Sequence, residues 1–387
     1  MSEWREYKIS DIADVIGGGT PKTEVQEYWN GNIPWITPKD LTNYKKVTIS
    51  FGARNITSEG LKSSSARLLP KGSVLITSRA PIGYVAIAEN EISTNQGFKS
   101  LALKEIANNY FIYYWVKCNN EYLQSIGTGT TFLEISGNTL KNISILLPPL
   151  PEQKAIADVL SALDDKIDLL HRQNHTLEQM AETLFRQWFV EEAREDWEEK
   201  PLSSIATFTN GLACQKFPVQ IGERGLPVLK IKELTSGISD SSDWATETVK
   251  SEYIVENGDI IFAWSASLMV KIWSGQKCVL NQHLFNVKSK DYPKWFYYEW
   301  CKFHLAEFIS VAQSHATTMG HIKRKDLDEA MVKIPSSETL ATMSQTMKPL
   351  LDKRIVNSQQ IQTLETLRDT LLPKLISGEV RAAFQTA

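Results

Sequence analysis

Alternating steps of four and three residues connect Ile156, Leu160, Leu163, Ile167, Leu170, Asn174, Leu177, Ala181, Leu184 and Trp188, and this heptad seam constrains the fold more than any other stretch. It lies between Pro148 and Val190, where Pro148, Pro149 and Pro151 forbid helix upstream and permit it at once downstream. At about 1.5 Å per residue, a helix from Glu152 to Val190 is about 60 Å long, several times the usual globular helix. A helix of that length with one apolar stripe needs a partner along its side. Asn174 is the polar member of the seam, at an a position. It either fixes the register of the pair from inside or turns outward to water.

The partner is supplied by a repeat, because the chain is written twice. At a shift of 193, Trp4 meets Trp197, Gly18 meets Gly211, and IPWITPKDLT (33–42) meets LPVLKIKELT (226–235). At a shift of 186, LPKGSVLI (69–76) meets VENGDIIF (255–262) and Asn95-Gln96 meet Asn281-Gln282. Thr176-Leu177-Glu178 meet Thr363-Leu364-Glu365, which gives the order globule, long helix, globule, long helix. The boundaries expected are 1–147 and 197–335 for the globules, 148–196 for the central helix, and 336–387 for a C-terminal helix and tail. In that second helix Met343, Met347, Leu350, Ile361, Leu364 and Leu371 hold heptad steps, with Arg354, Asn357 and Arg368 interrupting. Pro349 is expected to kink or stop it, and Leu371-Leu372-Pro373 to close it. A two-fold relation makes the two helices antiparallel partners in a coiled coil.

Within each globule VLITS and YVAIA flank RAPIG, and DIIFA and MVKIW flank SAS; both read as strand pairs around a turn. Asn109 to Ile126 and Lys294 to Val311 read as aromatic-rich helices whose rings belong to the core. The fold class expected is therefore α+β, twice.

Hydrophobic content of 42% and charged content of 22% in 387 residues describe an ordinary folded chain. With no apolar run of membrane-spanning length and no signal peptide, the cytoplasm is the expected compartment. Cys118, Cys214, Cys278 and Cys301 stand singly, without metal-site spacing. A net charge of -3 would argue against nucleic acid if it were evenly spread. Counted by segment, 1–150, 151–200, 201–335 and 336–387 carry net +2, -7, +1 and +1, so the acid sits in the central helix and its tail.

No phosphate loop, dinucleotide fingerprint, HExxH, nucleophile elbow or zinc spacing occurs, and His171 and His175 lack a third ligand. No catalytic residues and no bound metal or cofactor are expected. What recurs instead is a set of polar loops: GGGTPKTE, TSRAPIG, NQGFK and GTGTT in the first globule, and NGLACQK, AWSASLMVK, NQHLF and SHATTMGHIKRK in the second. Hydroxyls, backbone amides and cations make phosphate contacts, and Arg, Lys, Asn and Gln read base edges. The candidate DNA-contacting residues are Thr20, Lys22, Ser78, Arg79, Asn95, Gln96, Lys99, Thr130 and Thr131 in the first copy. In the second they are Lys216, Lys232, Ser265, Lys271, Asn281, Gln282, Thr317, Thr318 and Lys323.

GGGTPKT, EYWNGNIPWITPKDL, SRAPIG, NQGF, GTT, PPLPEQKAIADVLSALDDKIDLLHRQN, LFRQWF and LRDTLLPKLISGEV together resemble the specificity subunit of type I restriction-modification systems. The resemblance implies a non-catalytic subunit with two target-recognition domains, each reading one half of a split, asymmetric double-stranded DNA target, held apart by an antiparallel helix pair. It implies as partners modification subunits, which methylate adenine with S-adenosylmethionine, and restriction subunits, which use ATP and Mg to cut DNA. The second copy departs from the pattern: PSSETL replaces PPLPEQ and SASLM replaces RAPIG. The rival class is a coiled-coil adaptor whose globules bind protein or carbohydrate; a third is the same DNA reader in a related two-subunit cutting and methylating enzyme. Steep salt dependence separates DNA reading from the adaptor.

Overall fold

The computed structural model describes residues 3–129, 133–314 and 320–383. The chain divides into two compact units, Met1–Asp168 with Leu364–Ala387, and Leu169–Thr363, so the division falls inside both long helices.

In the first unit a five-stranded sheet has the order Ala13–Gly17, Lys99–Leu103, Val74–Ser78, Ile82–Ala88, Thr48–Ile49. Its central strand VLITS is buried throughout because the two-residue period serves two cores. Val74 and Ile76 face the helical side, with Phe111, Tyr114, Ile156 and Leu160, while Leu75 packs with Ile36, Ala86 and Phe98 on the other. A three-stranded sheet of Arg54–Ile56, Trp29–Ile36 and Ser93–Thr94 lies beyond, and Arg5–Lys8 pairs with Ser144–Leu147. The second unit repeats the alternation on IIFA: Ile260 and Phe262 enter one core, Ile261 and Ala263 the other. There the sheet order is Thr207–Asn210, Leu284–Lys288, Ile260–Ala263, Met269–Ile272.

Each aromatic helix is broken once, into Asn109–Cys118 and Asn120–Ser125, and into Lys294–Phe303 and Leu305–Ser314. At the first break the Asn119 side chain donates to the Trp115 carbonyl at 2.8 Å. Phe111, Tyr113, Tyr114 and Trp115, and likewise Trp295, Phe296, Tyr297, Tyr298 and Trp300, are buried as core.

The first long helix runs Leu150–Arg186 and ends in a π-turn over Gln187–Glu191. Its start is anchored by the two polar residues of PEQ. The buried Gln153 amide bonds to Asn108 N at 2.8 Å, Ile106 O at 3.0 Å and Pro148 O at 2.9 Å. The buried Glu152 carboxylate meets Arg381 at 2.8 Å. The second long helix runs Ser337–Ser377, through both Pro349 and Pro373, which corrects the expectation that Pro373 would close it and, of the two outcomes expected at Pro349, excludes the stop. Each proline removes one backbone donor, and packing on both sides offsets that loss: Met347 and Leu351 are buried around the first, Leu375 and Ile376 beyond the second. Termination falls instead to Gly378 at φ 77°, with Val380 N–H returning to the Lys374 carbonyl at 3.0 Å.

Of the first helix's seam residues, Ile156, Leu160, Ile167, Leu170 and Ala181 are buried, and Leu163, Asn174, Leu177, Leu184 and Trp188 are half-buried. On the second helix Met343, Met347 and Ile361 are buried, while Leu350, Leu364 and Leu371 are half-buried. In the first unit Asp164 meets Arg368 at 2.8 Å, with the Tyr114 hydroxyl also donating to Asp164 at 2.8 Å. In the second, Asn174 donates to Ser358 Oγ at 3.1 Å and Arg354 meets Glu178 at 3.1 Å. Within each unit residue numbers fall on one helix as they rise on the other, so the segments run antiparallel. Asn174 faces its partner helix, and the interruptions at Arg354, Asn357 and Arg368 are polar seam contacts.

Lys302 sits among Glu178 at 2.8 Å, Glu299 at 3.7 Å, and Glu182. Burial pushes the Glu299 carboxyl up to about 7, against the pull of Lys302 and Arg354. For Glu178 burial also pushes upward, but hydrogen bonds and charge from Lys302 and Arg354 outweigh it and hold the carboxyl low.

Candidate nucleic-acid interface

The candidate loops of the first unit are knitted together by backbone. Strand Val74–Ser78 ends where Ser78 N–H donates to Gly97 O at 2.7 Å and Ser78 O accepts from Ile135 N–H at 3.0 Å. Asn95 N–H donates to Ile36 O at 2.9 Å, and Asn95 Oδ1 accepts from Gly97 N–H at 2.9 Å. Gly18 crosses beneath this loop so closely that a Cβ there would lie 1.9 Å from Asn95 O. Trp35 and Trp29 donate their indole N–H to Gly19 O at 2.9 Å and Lys22 O at 3.2 Å, and Thr20 bonds to Gln96. The turn after Ser78 carries Ala80 at φ 51°. Arg79 then forms an isolated antiparallel bridge with Glu134.

The same skeleton recurs in the second unit at shifts of 186 to 193. Trp264 N–H donates to His283 O at 3.3 Å, and Trp264 O accepts from Ile322 N–H at 3.1 Å. Asn281 N–H donates to Leu229 O at 3.1 Å, and Asn281 Oδ1 accepts from His283 N–H at 3.3 Å. Gly211 passes with its Cβ position 2.3 Å from Asn281 O, Ala266 has φ 58°, and Ser265 bridges His321.

On this common skeleton the side chains differ in kind. In the first unit Glu134 takes Arg79 on one oxygen and Lys99 on the other, each at 3.4 Å. In the second, the half-buried Trp264 stacks on Phe285 at 5.6 Å and is flanked by His283 at 6.0 Å and His321 at 6.3 Å. Its indole N–H donates to Asn210 at 3.2 Å, and Ser265 Oγ lies 3.0 Å from His283 Nδ1. The first surface offers cations balanced by a single carboxylate; the second offers an aromatic plane edged by imidazoles and amides. Groups of both kinds suit nucleic acid, since cations serve phosphates and base edges while planar and amide groups serve bases.

Among the candidates, Thr20, Arg79, Asn95, Gln96 and Lys99 gather in the first unit and Ser265, Asn281 and Gln282 in the second. Ser78, Ser265 and Asn281 are buried there, so their polar atoms hold loops in place. The Ser78 hydroxyl is spent on Gly97 O at 3.2 Å. Lys22 and Lys216 are exposed on their loops. Lys232 is tied to Ser241 at 2.8 Å, Lys271 to the Leu234 carbonyl at 3.3 Å, and Lys323 precedes the helix Arg324–Glu329, its backbone N–H donating to Asp326 Oδ2 at 2.6 Å. Thr130, Thr131, Thr317 and Thr318 lie outside the described residues. Sequence reasoning passed over Glu134, Trp264, His283 and His321. The repeat held the signal, because its own shifts lay Ser265 over Arg79 and His321 over Glu134.

The pattern of two similar α+β units, each presenting a loop surface of its own and each built on part of two long helices, has counterparts among known proteins. The model of the type I restriction modification DNA specificity domain matches residues 1–179 and again 194–366, and the chain belongs to that family. It is 37% identical to the type I restriction enzyme MjaIX specificity subunit of Methanocaldococcus jannaschii, over 98% of this chain and 94% of that one. The MjaVIII specificity subunit of the same organism is 22% identical over 89% of this chain and 85% of its own. The crystal structure of a type I restriction-modification S subunit from M. genitalium matches over 100% of this chain and 97% of that chain, with a TM-score of 0.63 at 17% identity, and so shares the fold.

Proposed function

We propose that each unit reads one half of a split, asymmetric DNA target and that the antiparallel helix pair, a coiled coil along its length, sets the gap between the halves. The chain is the DNA-specificity subunit of a type I restriction-modification system, recognising DNA and scaffolding the complex rather than catalysing. The observation that carries the two-half reading is the shared backbone skeleton with unlike side chains. Arg79, Lys99 and Glu134 in one unit and Trp264, His283 and His321 in the other occupy corresponding frames, so two different half-sites follow. The domain limits 1–147 and 197–335 enclose these surfaces. Methyl transfer from S-adenosylmethionine and ATP- and Mg-dependent cleavage then belong to modification and restriction subunits in the cytoplasm. Val159, Leu169 and Met180 on the first long helix remain exposed and offer apolar surface to the modification subunit.

The test is a matched heptad inserted in each helix, after Leu170 and beside Asn357, which keeps the seam in phase. It lengthens each helix by about 10.5 Å, or roughly three base pairs at about 3.4 Å each. Mapping methylated sites genome-wide, with the modification subunit co-expressed, should show the same two half-sites with a wider gap. An unchanged gap in a folded, active variant removes the helices as the ruler.

A further inference from the structure

We propose that Glu134 is a specificity-determining counter-ion, holding Arg79 and Lys99 off non-cognate phosphate so that the first unit engages DNA firmly only where base contacts replace the carboxylate. This rests on the reading that the first unit binds DNA. Three observations carry it. Glu134 shares its two oxygens between the two cations at 3.4 Å each, with all three side chains still reachable: Arg79 is 36% exposed, Glu134 35% and Lys99 20%. Its backbone cannot drift from them, because Glu134 bridges both Arg79 and Thr128, exchanging bonds of 3.0 Å and 2.9 Å with the latter. The corresponding bridge in the second unit carries His321 and Ser265, so the carboxylate is a property of the first surface and not of the skeleton.

The physical consequence is a competition. A phosphate approaching Arg79 or Lys99 must displace a carboxylate already beside it and then faces that carboxylate's repulsion. Non-specific binding, which is almost wholly phosphate neutralisation, therefore loses most of the benefit of these two cations. A guanine edge presents neutral acceptors, which Arg79 can engage in bidentate fashion while its remaining donors stay on Glu134. The carboxylate thus penalises phosphate contact more than base contact and widens the ratio between specific and non-specific affinity.

The experiment uses the full chain and two labelled 30-base-pair duplexes, one bearing the target recovered by methylation mapping and one with the same bases scrambled. Affinity is measured by fluorescence anisotropy from about 50 to 300 mM NaCl. Glu134→Gln, which keeps shape and hydrogen bonding, should tighten binding to the scrambled duplex about tenfold at low salt. It should steepen the slope of log K against log salt by between about one and two, the value for one or two freed cations. The target duplex should gain less, so discrimination falls. Glu134→Asp should lie near the parent, and Glu134→Gln should have no effect in an Arg79→Ala/Lys99→Ala background. The proposal is overturned if Glu134→Gln leaves the scrambled-duplex affinity and slope unchanged while Arg79→Ala weakens target binding, which leaves the DNA reading standing. It is also overturned if the effect persists without the two cations. A parent chain with no salt-dependent affinity for either duplex removes the DNA reading, and this proposal with it.

Discussion

Arg368→Met should destabilise the first unit more than any comparable surface substitution. The Arg368 guanidinium lies 2.8 Å from Asp164, and their side chains are only 18% and 12% exposed. The Tyr114 hydroxyl bonds the other carboxylate oxygen at 2.8 Å; burial, and next the Asp164 charge, raise its pKa, so it remains a protonated donor. Methionine keeps most of the stem's packing and removes the charge, leaving a nearly buried carboxylate with the neutral Tyr114 hydroxyl as donor and the charge of Lys117 in place of an ion pair. Breaking a fully buried pair from one side costs about 3–5 kcal/mol. Residual solvent and the surviving Tyr114 bond reduce that to about 2–3 kcal/mol. For a unit of this size each kcal/mol moves the melting temperature by about 2–4 °C, which gives a fall of about 5–10 °C. Differential scanning calorimetry of the intact chain at pH 7 measures it. The companion variant Tyr114→Phe/Asp164→Leu/Arg368→Met removes all three polar groups together and should recover most of the loss, because the nearly buried carboxylate is gone and Asp369, which also meets Arg368 at 2.9 Å, is exposed to water. A shift below about 2 °C in Arg368→Met, or a triple variant less stable than the single one, would refute the reasoning.

Glu299 supplies a pH signature in the second unit. Its carboxyl is raised to about 7 from an ordinary 4.5, so the folded state holds a proton that the unfolded state gives up. Its contribution is full below about 4.5 and is lost as pH rises through about 7, about 3 kcal/mol in all at about 1.4 kcal/mol per unit. Glu299→Gln should flatten the stability profile between pH 5 and 8 and exceed the parent at pH 8; equal pH slopes in thermal melts would count against it. Trp264→Ala should abolish the sequence preference of one half-site by about 1–3 kcal/mol and leave the other half intact. Methylation mapping that shows both halves unchanged would take Trp264 out of the readout.

The sequence by itself determined the order of parts and the chemistry that had to be hidden. Steps of four and three allow only a long helix with a partner, and a repeat over most of the chain allows only two similar units, because both follow from local periodicity and burial. The VLITS and IIFA strands, the aromatic cores and the start of the first helix were legible for the same reason. Pro373 does not close the helix and Pro349 does not stop it, because a proline's penalty is local, whereas the burial of Met347, Leu351, Leu375 and Ile376 that outweighs it is tertiary. Asn174 had two readings until Ser358, 184 positions away, supplied its acceptor. The sharpest divide lies at the candidate surfaces. Ser78 and Asn281 belong to polar loops by composition, yet backbone crossings at Gly97 and Leu229 bury them, while Glu134 is drawn to Arg79 by a bridge spanning 55 residues. Which polar group faces outward depends on backbone paired across the fold, and no local spacing encodes that.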